Sequence, residues 1–171
     1  FGEGGWVKQI ARLLPGKDFL EIEYVVGPVP IDDGGKEVVS RWTTSIESDG
    51  HFFTDSNGRE FQKRKRGNHN IFGPDNTTAI EPVAGNYYPV NAAIYIEDNT
   101  KSFGVLVDRS QGGSSLIDGS IELMIQRRIL YDDSRGVGEA MNETDLGITP
   151  NKPYGNAERM GNGVIIKGHH R

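Results

Sequence analysis

The sequence has no cysteine among its 171 residues. Disulfides and thiol catalysis are thereby excluded. The compartment stays open, because secreted proteins do not require disulfides. There is no apolar run long enough to cross a bilayer, so no membrane span is expected. Positive charge is not in surplus: 19 Lys and Arg stand against 24 Asp and Glu, a net charge of −5. That balance argues against nucleic acid as a partner. No signal peptide is visible. Histidines are few. None of His51, His69, His169 and His170 has a spacing that sets two ligands on one face beside a carboxylate, so no metal site is expected within the chain. No serine lies in a nucleophile elbow. Carboxylate pairs are plentiful, but none is singled out as acid plus nucleophile. The residues by themselves do not describe a complete enzyme.

What is present is strand patterning. Trp6–Leu14 and Phe19–Val26 are both strand-like, and Leu20, Ile22, Tyr24 and Val26 share one face. Leu14-Pro15-Gly16-Lys17-Asp18 between them is turn chemistry, so the pair reads as a hairpin. Lys36 to Glu47 alternates, with Val38, Ser40, Trp42, Thr44 and Ile46 on one side. His51–Thr54 and Glu60–Lys63 flank Asp55-Ser56-Asn57-Gly58, where Asn57-Gly58 is a strong hairpin signal. Ala92–Glu97 and Ser102–Asp108, joined by Asp98, Asn99 and Thr100, form another hairpin. No helix of standard length is required anywhere. Seven or eight short antiparallel strands predict an all-β sandwich or barrel, most simply as one domain.

The longest strand reads into the most polar loop. Ile121, Leu123 and Ile125 alternate with Glu122, Met124 and Gln126, the pattern of a half-buried strand, and Ile129 and Leu130 extend it. Asp132, Asp133, Arg135, Gly136 and Gly138 follow. A strand that delivers charge into a glycine-flexed loop can place polar side chains at a site. Equally, Asp132 and Asp133 could pair with Arg135 and simply tie a surface turn.

Other features are weaker. Lys63-Arg64-Lys65-Arg66 reads as a solvated strand end or a protease-sensitive loop. Gly67 to Ile80 and Met141 to Gly163 read as loops. Asn76-Thr77-Thr78 and Asn142-Glu143-Thr144 are N-glycosylation acceptors, placing glycans at Asn76 and Asn142 on a secretory route. Tyr87-Tyr88-Pro89 could stack on a sugar ring or pack in the core. Ser110–Ser115 is glycine-rich but lacks the lysine and spacing of a phosphate loop. The chain begins at Phe1 and ends at Arg171, directly after the strand-like Val164–Lys167. It therefore reads as a piece of a longer polypeptide, with a last strand lacking a visible mate.

Five stretches occur in one order: Val25-Val-Gly-Pro-Val-Pro30, Thr54-Asp-Ser-Asn-Gly-Arg-Glu60, Glu81-Pro-Val-Ala-Gly-Asn-Tyr-Tyr-Pro-Val-Asn91, Asp108-Arg-Ser-Gln-Gly-Gly-Ser-Ser-Leu116, and Arg127-Arg-x-Leu-x-Asp-Asp-x-Arg-Gly-Val137. Together they resemble the C-terminal β-sandwich region of the class II α-mannosidases, glycoside hydrolase family 38. The likeness is to the lysosomal and plant vacuolar branch and spans roughly Trp6 to Met141. The resemblance implies a retaining glycosidase acting on α-linked mannose of N-glycans. Its Zn2+, held by two His and two Asp, and its Asp nucleophile and acid carboxylate would sit on an N-terminal α/β domain absent from this chain. Its partners would be the other polypeptides of the same processed enzyme and an oligosaccharide substrate. It would reside in the lysosome or the plant vacuole. The resemblance also implies that Arg135 reaches the catalytic cleft as a substrate-binding residue, a role suited to a guanidinium fork. Asp132, Asp133, Asn86, Tyr87 and Tyr88 would then support it from behind. A free-standing carbohydrate-binding sandwich with Tyr87 and Tyr88 as its platform is the alternative, and a purely structural packing domain a third reading.

Overall fold

A computed structural model describes residues 5–67, 81–132, 134, 136, 140–145 and 161–171, and the backbone at 147–148. Thirteen strands lie among them: β1 (Val7–Leu13), β2 (Leu20–Val26), β3 (Gly35–Thr43), β4 (His51–Ser56), β5 (Glu60–Lys65), β6 (Tyr88–Val90), β7 (Ala93–Glu97), β8 (Ser102–Leu106), β9 (Gln111–Ser114), β10 (Ser120–Ile129), β11 (Glu143–Thr144), β12 (Gly147–Ile148) and β13 (Ile166–His170). The helical content of the described residues is two single 3-10 turns, Asp32–Gly34 and Ala84–Asn86. The fold is all-β, and its paired strands are antiparallel.

The chain divides into two compact units. The first comprises Phe1–Val38 and Ile125–His169, the second Val39–Met124 with His170 and Arg171. In the first, β1, β2 and β13 form a three-stranded sheet. Its small core is Tyr24, Val26 and Val29, flanked by Trp6, Val7, Val38, Ile125 and Ile166. The β1–β2 hairpin runs in register from Val7 opposite Val26 to Leu13 opposite Leu20, as the turn chemistry predicts.

The second unit is a sandwich. One layer takes its strands in the order β5-β4-β7-β8, the other in the order β3-β10-β9-β6. Phe52, Ile94, Ile96 and Val105 from the first layer meet Val90, Ile121 and Leu123 from the second, and all of them are buried. Removing this apolar surface from water is the main stabilising term of such a layered fold. The Asn57-Gly58 signal behaves as expected: both residues take positive φ, and Arg59 N–H donates to Ser56 O at 3.0 Å. Asp55 organises the strand behind that turn. Its carboxylate accepts Gly58 N–H at 2.7 Å, and the N–H groups of Asn91, Ala92 and Ala93 at 2.8, 2.8 and 3.1 Å. Burial pushes the Asp55 carboxyl pKa up, but the four N–H donors outweigh it and the net shift is downward.

Several expectations need correction. β3 ends at Thr43, short of Glu47, because the Thr44 hydroxyl donates to Gly119 O and accepts Ile46 N–H, closing a local turn. Ser110–Ser115, glycine-rich and without an assigned element in the sequence reading, holds the interior strand β9 at Gln111–Ser114. Its glycines suit close packing, since a Cβ on Gly113 would lie 2.5 Å from Val90 Cγ2 and 3.1 Å from Leu123 Cδ2. Of the two readings of the basic run, the strand end holds: Lys63, Arg64 and Lys65 close strand β5 and Arg66 follows it. Arg64 bonds the Thr54 hydroxyl, and Arg66 bonds Ser115 O. Met141–Gly163 contains the short β11–β12 pair. The last strand starts at Ile166 and is paired: β13 joins the β1–β2 sheet, and His170 bridges to Val107.

Candidate functional site

The candidate site is built at the far end of β10. There, in the first unit, the strand carries Arg127, Arg128 and Ile129 towards the Asp132–Arg135 loop. Strand alternation puts Arg128 opposite Ile125 and Ile129. Arg128 is 6% exposed, so its cation must find acceptors. Nη1 donates to Val29 O at 2.9 Å, and Nε donates to the Asn142 amide oxygen at 2.8 Å. Burial pulls the guanidinium pKa below its usual value, and Asp145 works in the opposite direction. Gly163 lies against the same group; a Cβ there would sit 2.6 Å from Arg128 Nη1. One side chain thus ties two separate stretches of chain, at Val29 and Asn142, to the strand that precedes the loop, with Gly163 packed close beside it.

The backbone finishes the base of the loop. Leu130 N–H donates to Gly34 O at 3.0 Å, and Ile129 N–H donates to Met141 O at 2.9 Å. Gly35 at φ 108° presses against the Arg128 carbonyl so closely that any Cβ would overlap it, which only glycine allows. Arg127 pairs with Glu37, and Lys36 with Asp32 at 2.7 Å. Asp132 accepts Ser134 N–H at 2.9 Å, a short Asx turn with Ser134 at φ 58°. Asp133 and Arg135 lie outside the described residues, as does Asn76. Asn142 is half-buried with its amide oxygen on Arg128, and Thr144 of the same triplet is buried.

The other expected residues form a cluster in the second unit. Asn86 is 4% exposed and makes four bonds, one of them from its own N–H to Val83 O at 3.0 Å. Its amide nitrogen donates to Pro82 O at 2.7 Å, its amide oxygen accepts Gly67 N–H at 2.8 Å, and its carbonyl accepts the Ser114 hydroxyl at 2.7 Å. The Tyr87 hydroxyl donates to the Glu122 carboxylate, which also takes Arg41 Nε at 2.6 Å. Tyr88 lies under Arg64, whose guanidinium carbon is 4.4 Å from the ring centroid, and meets Phe52 edge to face at 5.7 Å. Both tyrosines therefore have partners within the fold. Sequence reasoning missed Arg128, Glu122 and Arg41. Alternation put Glu122 opposite the Ile121–Leu123 stripe and so expected it near solvent. Ser120, Ile121, Glu122 and Leu123 are all buried, so this part of β10 is covered on both faces. Alternation sets Glu122 and Arg128 on the same side of one strand but does not tell that this side is covered, so it carried no signal that could have found them.

A family model described as the glycosyl hydrolases family 38 C-terminal domain matches residues 2–135. The chain belongs to that family. The match takes in most of the described fold and runs through the loop that follows β10. Among similar proteins, the lysosomal alpha-mannosidase of Homo sapiens is 54% identical over 143 residues, covering 83% of this chain and 14% of the human protein. An alpha-mannosidase of Arabidopsis thaliana is 52% identical over 141 residues, covering 81% of this chain and 13% of the plant protein. The alpha-mannosidase of Canavalia ensiformis is 48% identical over 150 residues, covering 87% and 15%. The chain thus spans about one seventh of the length of the relatives it matches. As a family 38 C-terminal domain it is one part of what those relatives contain.

Proposed function

We propose that this family 38 domain is the C-terminal β portion of a retaining, zinc-dependent α-mannosidase that hydrolyses terminal α-linked mannose of N-glycans. The observation that carries the reading is the family match through residue 135 together with about half identity to animal and plant alpha-mannosidases. In this reading the domain supports the catalytic domain and supplies Arg135 to its cleft, with an oligosaccharide as substrate. The anchorage of β10 through Arg128 is the feature of this chain that suits such a delivery, because it fixes the strand from which the loop departs. Asp132 would set the first bend of that loop, and Asp133 would hold the guanidinium of Arg135. In this reading the zinc is held by the catalytic domain and not by this chain; among the described residues no group of three His, Asp or Glu side chains could hold a metal ion.

A sugar-binding module built on Tyr87 and Tyr88 gains nothing from the geometry, because the ring of Tyr88 is taken by Arg64 and Phe52 and the hydroxyl of Tyr87 by Glu122. A lysosomal or vacuolar setting follows from the animal relatives named lysosomal and from the plant relatives. Asp55 and Asp118 are held below the usual carboxylate range by N–H and hydroxyl donors, and Asp98 at about 2. Glycans at Asn76 and Asn142 belong to the same proposal. At Asn142 the sugar would attach through nitrogen while the amide oxygen stays on Arg128. The test is the anomer first released from an α-mannoside by the full-length enzyme, followed by proton NMR. Release of the α anomer before mutarotation is expected. Release of the β anomer, or no hydrolysis, overturns the reading.

A further inference from the structure

The chain reaches β3 through an unusual turn. Asp33, Gly34 and Gly35 follow one another at φ 58°, 89° and 108°, three successive residues in the left-handed half of backbone space. That half is costly for Asp33 and is normally entered one residue at a time, so the path of this turn is imposed by what it packs against. It packs against the exit of β10. Gly34 O accepts Leu130 N–H at 3.0 Å. The next side chain lies on the same glycine: a Cβ on Gly34 would sit 2.7 Å from Tyr131 Cε2 and 3.3 Å from Tyr131 Cδ2. One residue without a side chain thus grips two consecutive residues of the departing strand, the first by its carbonyl and the second by the space it leaves. The turn is secured in its own right. Gly35 N–H donates to Asp32 O, and Lys36 Nζ donates to the Asp32 carboxylate at 2.7 Å and to its carbonyl at 3.2 Å.

We propose that Gly34 and the ring of Tyr131 form a positioning seat, which sets the direction in which the chain leaves β10 and so places Arg135 for the sugar; the role rests on the α-mannosidase reading. Behind Tyr131 the strand needs no such seat, because Arg128 and the Ile129 amide already hold it. Ahead of it, the Asp132 carboxylate takes Ser134 N–H, and Arg135 is the next residue in the chain. Tyr131 is the joint between the two. A ring held against backbone has few staggered rotamers open to it, so the Cα–Cβ direction at residue 131, and with it the course of the next peptide, is narrowed. Neither partner carries the family resemblance. Gly34 lies outside the five matching stretches, and Tyr131 stands at a position that the last of them leaves open.

The test measures kcat/KM on an α-mannoside for the full-length enzyme carrying Tyr131→Ala, Tyr131→Phe or Gly34→Ala, each with Arg135 present and with Arg135→Ala. Misplacing a catalytic contact by about 1 Å can cost up to about 10²-fold in rate. Tyr131→Ala is therefore expected to lower kcat/KM by roughly 5- to 100-fold when Arg135 is present, and by less than about twofold when it is not. Equal falls in both backgrounds describe a merely structural residue and overturn the seat. Tyr131→Phe keeps the ring and is expected to recover most of the activity. A loss as large as that of Tyr131→Ala would assign the effect to the hydroxyl and also overturn it. Gly34→Ala, whose Cβ takes the place of the ring, is expected to follow Tyr131→Ala in both backgrounds, and wild-type kcat/KM in that variant overturns the seat as well. Should Gly34→Ala fail to fold, the two Tyr131 variants decide. An unchanged Tyr131→Ala beside an impaired Arg135→Ala ends the seat alone. An unchanged Arg135→Ala ends the delivery of Arg135 and the seat with it, whereas an enzyme that never hydrolyses the mannoside ends the functional reading itself.

Discussion

Arg128 in the first unit and Arg41 in the second solve the same problem in opposite ways. Arg128 is a buried cation held by two neutral oxygens, Val29 O and the Asn142 amide. Arg41 has a side chain 49% exposed and meets a buried anion, Glu122, which is also bonded by the Tyr87 hydroxyl. In the first case the charge is inside and its partners are backbone and amide, so the arginine acts as a geometric strap. In the second the charge most in need of a partner is the carboxylate, and the arginine stays half in water. The difference shows where rigidity is placed. The strap fixes the end of β10 that leads into the Asp132–Arg135 loop, whereas the Arg41–Glu122 pair secures the middle of a sandwich layer.

The contrast predicts unequal costs. Arg128→Ala leaves two acceptors without a charged donor, and each such bond contributes about 1.5–3 kcal/mol. The variant is therefore expected to lower local stability by about 3 kcal/mol or more, read as faster hydrogen exchange at the Ile129 and Leu130 amides. Arg128→Lys should recover little, because an ammonium cannot reach both oxygens in the same plane. Exchange at those amides unchanged in Arg128→Ala would remove the strap.

Asp55 extends the comparison to a buried anion held by backbone alone. Asp55→Asn replaces a charged acceptor of four N–H groups, so a loss of about 2 kcal/mol is expected in the exchange of the Asn91–Ala93 amides. The pH dependence has a definite sign. The folded Asp55 pKa lies below its unfolded value, so its contribution is complete above the ordinary carboxylate range and is lost as pH falls through the lowered folded value. Acid should therefore weaken wild type towards the variant, and the two should converge at low pH. A gap that widens on acidification would contradict this assignment.

Arg41→Ala is expected to cost less than Arg128→Ala, roughly 1–2 kcal/mol, because the Tyr87 hydroxyl still donates to Glu122. Tyr87→Phe should cost about 1 kcal/mol, and a double-mutant cycle should show the two coupled through Glu122. Lys36→Ala, which breaks the exposed pair with Asp32, is expected to cost under about 1 kcal/mol by thermal unfolding. Were Arg41→Ala as damaging as Arg128→Ala, the distinction between strap and surface pair would fail.

Much of the strand layout was legible because turn chemistry is local. Pro15-Gly16 and Asn57-Gly58 name their hairpins, and β-branched alternation names the strands between them. β9 was hidden because its signal is inverted. Gly112 and Gly113 carry no strand propensity, yet glycine sits there so that Tyr87, Val90 and Leu123 can approach an interior strand. The pairing of β13 could not be read either, since its partners Val107 and β2 lie far away in sequence. The roles of Arg128 and Glu122 were out of reach for a related reason. Alternation tells which side of a strand a residue takes but not whether that side is covered. The Asp132–Arg135 segment stood out through composition, although the resemblance and not the residues suggested the role proposed for it.

The most direct test of the central claim is the kcat/KM of Arg135→Ala in the full-length, zinc-loaded enzyme on an α-mannoside. Loss of one charged hydrogen bond in the transition state predicts a fall of roughly 10- to 150-fold with the folded structure intact, and Arg135→Lys should recover little of it. An unchanged kcat/KM in a fully folded Arg135→Ala enzyme would contradict the claim that this domain supplies Arg135 to the catalytic cleft.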